Sequence, residues 1–449
     1  MADSRTFFER LFFGPGPEPL SPLIAILYSI VVVMVAVLPF ISALAMIAIW
    51  GERKVAGHMQ CRFGPNRLGP CGIFQSLADG TKLFLKEDLI PKEADSFLFR
   101  LAPYLAFVPV FVAFVAMPFG PEVTFERNLN SGLFLILAML SVEVMGVILG
   151  GWASNNKWSL YGAMREACQM VSYEIPLGLS LIIGVMVVGT LNVVDMGFAQ
   201  GGGLHTWLIF RNPFIFLAFF VYFTASLASN KRAPFDLPES ESELVGGYHT
   251  EYSGMRWAFF FFAEYAAMFV VGGIQTALFL GGWNDPFGLI GYYHAQFMKD
   301  PNSHVIGLIL LNVVAAAVFT LKASIIIFVQ MWLRWTLPRP RIDQVLYVCV
   351  KVLMPLACVL LLGAALWELF VPTRTGNPWQ DYNPLVWGDL AAGSTLSAIV
   401  QMLLTFIGLA IFLAIIGWIG YAAYTGRNLK ERLTDPAPIS TDEPQTSAS

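Results

Sequence analysis

Charge is what this chain has least of. Only 13% of its 449 residues are Asp, Glu, Lys or Arg, where a soluble domain carries about 25%. So little charge excludes an ordinary water-soluble enzyme. The formal net charge of −4 is too small to indicate nucleic acid as a partner. Cysteine is scarce and scattered: Cys61, Cys71, Cys168, Cys349 and Cys358 form no C-x-x-C pair, so neither an iron–sulfur site nor a structural zinc is indicated. The five histidines include no H-E-x-x-H and no close pair, so no metal or haem is expected on the chain itself. No internal repeat is visible. Residues 1–20 contain acids and no small-residue cleavage site, and read as a retained amphipathic lead-in, not a cleaved signal.

What the chain does have is apolar length. It is 56% hydrophobic, with a mean hydropathy of +0.64. A membrane-spanning helix needs about 20 mostly apolar residues. Nine segments qualify: roughly 21–50, 97–118, 132–151, 171–191, 213–229, 257–281, 305–333, 345–371 and 395–424. The expected fold is therefore an all-α polytopic membrane protein. Pro39 predicts a kink or tilt in the first span. Lys and Arg divide eighteen to six between the two sets of loops. The richer set is expected on the cytoplasmic side, with the N-terminus outside and the C-terminus inside. The segment 71–86 alternates Ile73, Phe74, Leu77, Phe84 and Leu85 with Gln75, Asp79, Lys82 and Lys86. That is an amphipathic helix, lying in the membrane interface or packed on the bundle. The segment 425–449 ends polar and Pro-rich and is expected to be disordered.

Four charged motifs stand against this background. Glu52, Arg53 and Lys54 lie where the first span meets the cytoplasm, with a Gly-Pro-Asn turn after Arg62 and Phe63. Taken alone, such bases are snorkelling anchors. Glu174 follows Ser172 and Tyr173 just inside the fourth span. An ionisable residue there costs about 2.5–3.5 kcal/mol on insertion scales and usually faces a polar interior. Glu143 and Glu264 raise the same question on two other spans, so the three carboxylates either line one cavity or are satisfied separately. The loop 230–256 holds Asp236, Glu239, Glu241, Glu243 and Glu251. It is either a solvated acidic loop or a group of carboxyls whose mutual repulsion tunes them for proton transfer. Helical spacing would put Glu239 and Glu243 on one face and Glu241 on another. The turn from Arg334 to Gln344 carries Arg334, Arg339 and Arg341, which are counter-charges if the acids are buried.

The stretches ERKVAG…RFGPN, GWASNN…SYE, RAPFDLPESESELVGGYHTEYSG and RWTLPRPRIDQ, in this order, resemble the H-type membrane subunit of NADH:quinone oxidoreductase, respiratory complex I. The resemblance covers roughly residues 21–370. It implies an eight-helix quinone-channel domain over 21–371 and residence in a bacterial inner membrane; the extra membrane segment within 372–424 lies outside the resemblance. It implies a quinone as substrate of an NAD-dependent complex, with access framed by 21–50, 71–86 and 257–281 and lined by Glu52, Arg53, Lys54, Arg62 and Phe63. It implies a charged proton path through Glu174, Asp236, Glu239, Glu241, Glu243 and Glu264, with Arg165, Arg232, Arg334 and Arg341 as partners. Flavin and iron–sulfur clusters are implied in partner subunits. The partners implied are peripheral-arm subunits at the quinone site and antiporter-like subunits along the membrane arm. Two departures stand out. The family often reads A-E-x-N-R before Pro-Phe-Asp, and here Ser229 replaces the acid and Lys231 the asparagine. Glu143 and Glu166 are additional, and Glu143 is a candidate substitute for the missing acid. The alternatives are the homologous subunit of a membrane hydrogenase or other dehydrogenase, or a stand-alone proton-coupled transporter, for which internal repeats would be expected.

Overall fold

In the computed structural model the described residues are 38–124, 129–297 and 305–370, with isolated positions between 399 and 421. Among them every regular element is helical. The principal helices are α1 (Leu38–Met59), α2 (Gln75–Leu85), α3 (Ser96–Val115), α4 (Gly132–Ala153), α5 (Lys157–Val188), α6 (Pro213–Ser229), α7 (Gly254–Phe279), α8 (Val305–Thr336) and α9 (Ile342–Leu369). Six of these, α3, α4, α5, α7, α8 and α9, contain stretches long and apolar enough to cross a membrane. The chain is a multi-pass membrane protein. The 17-residue α6 is apolar but shorter. The first expected span is described only from Leu38, and the segment 395–424 lies almost wholly outside the described residues.

Local chemistry sets the helix ends. Asp95 caps α3, accepting from the backbone N–H of Phe97 at 3.0 Å and of Leu98 at 3.3 Å. Asn156 caps α5 through the Trp158 N–H, and Gly189, left-handed at φ 78°, closes its far end. Asn212 caps α6, which opens on Pro213. Helix α5 begins fourteen residues before the expected start of that span, because an apolar window stops at Arg165, Glu166 and Gln169 whereas the cap at Asn156 does not. Its 32 residues reach roughly 48 Å at ~1.5 Å per residue, against a bilayer core of about 30 Å. Helix α2 begins at Gln75, later than expected, because Pro70–Gly72 forms a separate short turn. In α9 residues Tyr347–Leu353 widen into a π-type turn. Pro355 explains it: its ring crowds the carbonyl of Lys351 and offers no N–H to it.

Helix α7 is the hub. Of its apolar window 72% is buried, against 28% for α8 and for α9. It meets α3 along an aromatic seam, with Phe107 and Phe259 rings 4.9 Å apart and Phe114 and Phe269 5.8 Å apart. Tyr222 on α6 donates to the Val271 carbonyl at 3.0 Å. Away from the Arg-rich turns, Lys322 of α8 caps the C-terminus of α7, donating to the carbonyls of Leu280, Gly282 and Asn284 at 2.7, 3.1 and 2.5 Å. Helices α3 and α4 touch backbone to backbone at Gly146, where an added Cβ would lie 2.5 Å from the Ala106 nitrogen. Gly146→Leu is therefore expected to cost about 1–3 kcal/mol through overpacking. Gly178→Leu, with nothing within 4 Å of its added Cβ, should have little effect. Thermal melting of the two variants checks this, and equal midpoints would contradict the close approach.

Candidate functional site

Helix α1 does not stop at Gly51 but runs on to Met59. On the 3.6-residue period this turns Glu52 inward while Arg53 faces out. The loop after α6 turns sharply at Lys231, left-handed at φ 52°, and sends Arg232 into the space between α1, α7 and α8. There Arg232 Nη1 donates to both Glu52 oxygens at 2.8 and 3.0 Å, and its Nε lies 2.9 Å from Glu264 Oε1 on α7. Arg334, near the end of α8, also pairs with Glu52. Tyr265 donates to Glu52 at 2.5 Å, and its ring lies 4.2 Å from the Arg232 guanidinium. Glu52, Arg232 and Glu264 are each no more than 6% exposed. Two acids meet two bases, so the formal charges balance with both acids ionised. Removing one member would strand a buried charge, a loss of about 3–5 kcal/mol.

A second group adjoins it. Lys231 Nζ lies 3.3 Å from Glu143 Oε1 on α4 and 3.7 Å from Glu166 Oε1 on α5. All three side chains are buried. Gln169, one turn beyond Glu166, donates to the carbonyls of Ala228 and Phe235, both at 2.8 Å, and pins the loop over them.

The third group is the acidic loop itself. Arg339 Nη2 pairs with Asp236 at 3.1 Å and Nη1 donates to Ser240 at 2.9 Å. Tyr248 donates to Glu239 at 2.8 Å, with His249 Nδ1 3.6 Å from the same oxygen. Burial, with the Glu239 charge beside it, pushes Asp236 up to about 7. Glu239 is also pushed up by burial, but His249, the Tyr248 hydroxyl and Arg232 outweigh this and leave it below its ordinary value.

Several expectations are corrected by this geometry. Glu239 and Glu243 do not share a helix face, because the helical turn there begins only at Glu241 and leaves Glu239 outside it. Glu239 turns inward, while Glu243 is exposed and pairs with Arg165 at 2.5 Å. The Glu241 side chain lies outside the described residues. Glu174 sits near the middle of α5, not just inside its start, and is exposed on the bundle surface, where Ser141 donates to it at 2.5 Å. It lines a pocket with Ser141, Tyr173, Tyr222 and Ser229. Glu143 and Glu264 do not line that pocket; Glu143 pairs with Lys231 and Glu264 with Arg232. Arg341 is exposed and its backbone N–H donates to Gln344; Arg339 is the base that meets Asp236.

The residues expected to line an access route lie around the end of α1 and α2. Arg53 pairs with Asp79 of α2, and Ser76 of α2 donates to the Met46 carbonyl at 3.1 Å. The turn after α1 is tight: an added Cβ at Gly57 would lie 2.8 Å from the Gly64 nitrogen. It leaves Arg62 exposed and Phe63 93% exposed. Lys54 lies 6.0 Å from the Trp50 ring. Sequence reasoning missed Tyr265 and the union of Glu143, Glu166 and Lys231. The only signal was three ionisable residues close to otherwise apolar segments.

A sequence model of the family described as NADH dehydrogenase matches residues 30–365. The chain belongs to the NADH dehydrogenase family. The H-type subunit of NADH-quinone oxidoreductase from Chlorobium luteolum is 46% identical over 362 residues, covering 80% of this chain and 92% of that one. The H-type subunit of Anaeromyxobacter dehalogenans is 43% identical over 351 residues, 77% of this chain and 84% of that one. That of Geobacillus thermodenitrificans is 44% identical over 325 residues, 72% and 90%. The matched region contains every member of the three buried groups, and the segment 372–424 falls beyond it.

Asp236 makes a pH prediction. A carboxyl raised to about 7 is mostly protonated below neutrality and ionised above it. Asp236→Asn should therefore remove an inflection near pH 7 from the quinone-reductase pH profile of the assembled complex. An identical profile would contradict this titration.

Proposed function

We propose that the chain forms the membrane-embedded quinone channel of a proton-translocating NADH:quinone oxidoreductase, and the first charged section of its proton-coupling path. The observation that carries the reading is the neutral Glu52–Arg232–Glu264–Arg334 group, buried between α1, α7 and α8 beside the amphipathic α2. Helix α2 and the turn before it leave Ile73, Phe74, Leu77, Phe84 and Leu85 exposed, an apolar surface suited to a quinone tail arriving from the bilayer. Arg53, Lys54, Arg62 and Phe63 stand at the mouth it shares with α1. The Lys/Arg-rich loops face the cytoplasm of a bacterial inner membrane, with the N-terminus outside and the C-terminus inside. Residues 21–371 form the channel domain, and 372–424 add a further membrane segment between it and the tail, 425–449.

Partner subunits bearing flavin and iron–sulfur clusters supply the electrons. The part of this chain is to hold charge near the quinone. Reduction of a quinone to a quinol takes up electrons and protons in equal number. Negative charge arriving before the protons raises the proton affinity of the nearest carboxyls. Asp236 and Glu239, with Arg339 and His249, stand next to the neutral group and are placed to answer that change. Glu174, on the outer surface of α5, is placed to pass the proton to a neighbouring antiporter-like subunit.

Glu174→Gln should sharply lower coupled quinone-reductase activity in the assembled complex. A variant that assembles and pumps like wild type would remove Glu174 from the path. For the channel, a photolabelled quinone-site inhibitor should attach between Arg53 and Arg62. Labelling confined to 395–424 would contradict the access route.

A further inference from the structure

The group formed by Glu143, Glu166 and Lys231 has an unbalanced charge. Two carboxyls face one ammonium, at 3.3 and 3.7 Å. Glu166 is fully buried, and among the described residues neither of its oxygens accepts a hydrogen bond within 3.5 Å. An ionised carboxylate in that position has lost its water without gaining a donor, which costs several kcal/mol. One proton added to the acid pair removes the excess charge and leaves Lys231 as the counter-ion of the other acid.

Among the described residues, the surroundings do not supply the missing positive charge. From α7, Glu264 acts on Lys231 but is already matched by Arg232. From the loop, Glu239 and Tyr248 face Glu166, and Glu239 adds negative charge. From α5, Tyr173 lies within the field of Glu166 and Lys231 and contributes a neutral hydroxyl. Tyr173 also lines the pocket that holds Ser141, Glu174 and Ser229. The group thus stands between two places. On one side Glu239 of the acidic loop faces Glu166; on the other Tyr173 opens towards Glu174.

We propose that Glu143 and Glu166 share one exchangeable proton beside a permanently charged Lys231, and that this site relays protons between the Asp236–Glu239 loop and the Glu174 pocket. The inference rests on the proton-coupling role proposed above. The step is a proton transfer only: the pair releases one proton towards Glu174 as it takes one from the Asp236–Glu239 loop, whose Glu239 faces Glu166, and Lys231 keeps its own throughout.

The test uses the assembled complex in proteoliposomes and two readouts, the infrared carbonyl band of protonated carboxyl groups and the protons moved per quinone reduced. Glu166→Gln should remove one protonated carboxyl per complex, because Glu143 then forms a simple ion pair with Lys231, and proton transfer per quinone should fall severalfold. Lys231→Gln should add one protonated carboxyl, since both acids must then be neutral. That variant keeps the question open to measurement if Glu166→Gln fails to assemble. A carbonyl band unchanged by either variant overturns the shared proton. Normal pumping by Glu166→Gln beside a defective Glu174→Gln overturns the relay alone. Normal pumping by both overturns the relay together with the proton-coupling reading on which it rests.

Discussion

A guanidinium cannot shed its proton to escape burial. Arg232 is 3% exposed, so its charge must be answered by other residues, and much of the molecule follows from that. Glu52 answers it from α1 and Glu264 from α7. Two acids around one base would leave an excess, which Arg334 removes from the end of α8. For this to close, α1 must continue past Gly51, α8 must reach Arg334, and the chain must reverse at Lys231. Three long helices and one loop are thus held at one end of the bundle by a single electrostatic requirement. At the other end Lys322 holds α7 and α8 by donating to carbonyls at the end of α7.

The three buried groups differ in how their charges balance, and that difference is what makes them useful together. The Arg232 group is neutral and strongly paired, so it resists change. The Asp236 and Glu239 loop has one carboxyl raised and one lowered, so a proton there is easily gained or lost. The Glu143–Glu166–Lys231 group lacks one positive charge. In the proposed function, a charge arriving with the quinone meets the neutral group first and is answered by protons in the other two. The low dielectric of the site lets charges affect one another over distances that water would screen.

Much of the fold was legible in the sequence, because length and apolarity are local properties. The spans 132–151 and 213–229 match α4 and α6 closely. Helix α5 was cut short because Glu166 and Gln169 look like surface residues until their partners on α4 and in the loop are known. The site was legible as a set of residues and not as a set of pairs. Arg334 was named and meets Glu52, a contact between residues 282 apart. Arg341 was named where Arg339 does the pairing, since a Pro-stiffened turn offers both and only the fold decides which faces inward. Glu239 and Glu243 were placed together by helical spacing that the loop does not adopt. Ser229 and Lys231 were visible as departures from the family pattern. That Lys231 is answered by Glu143 and Glu166 depends on three segments meeting, which no local pattern encodes.

The central claim is that the charge on Arg232 links quinone reduction to proton movement. The direct measurement is Arg232→Met in the assembled complex, following reduction of the partner iron–sulfur clusters by NADH separately from quinone reduction and from proton uptake into proteoliposomes. The account predicts normal cluster reduction, with quinone reduction and proton movement both lost. Quinone reduction and proton movement at wild-type rates and in wild-type ratio, from a correctly assembled Arg232→Met complex, would contradict it.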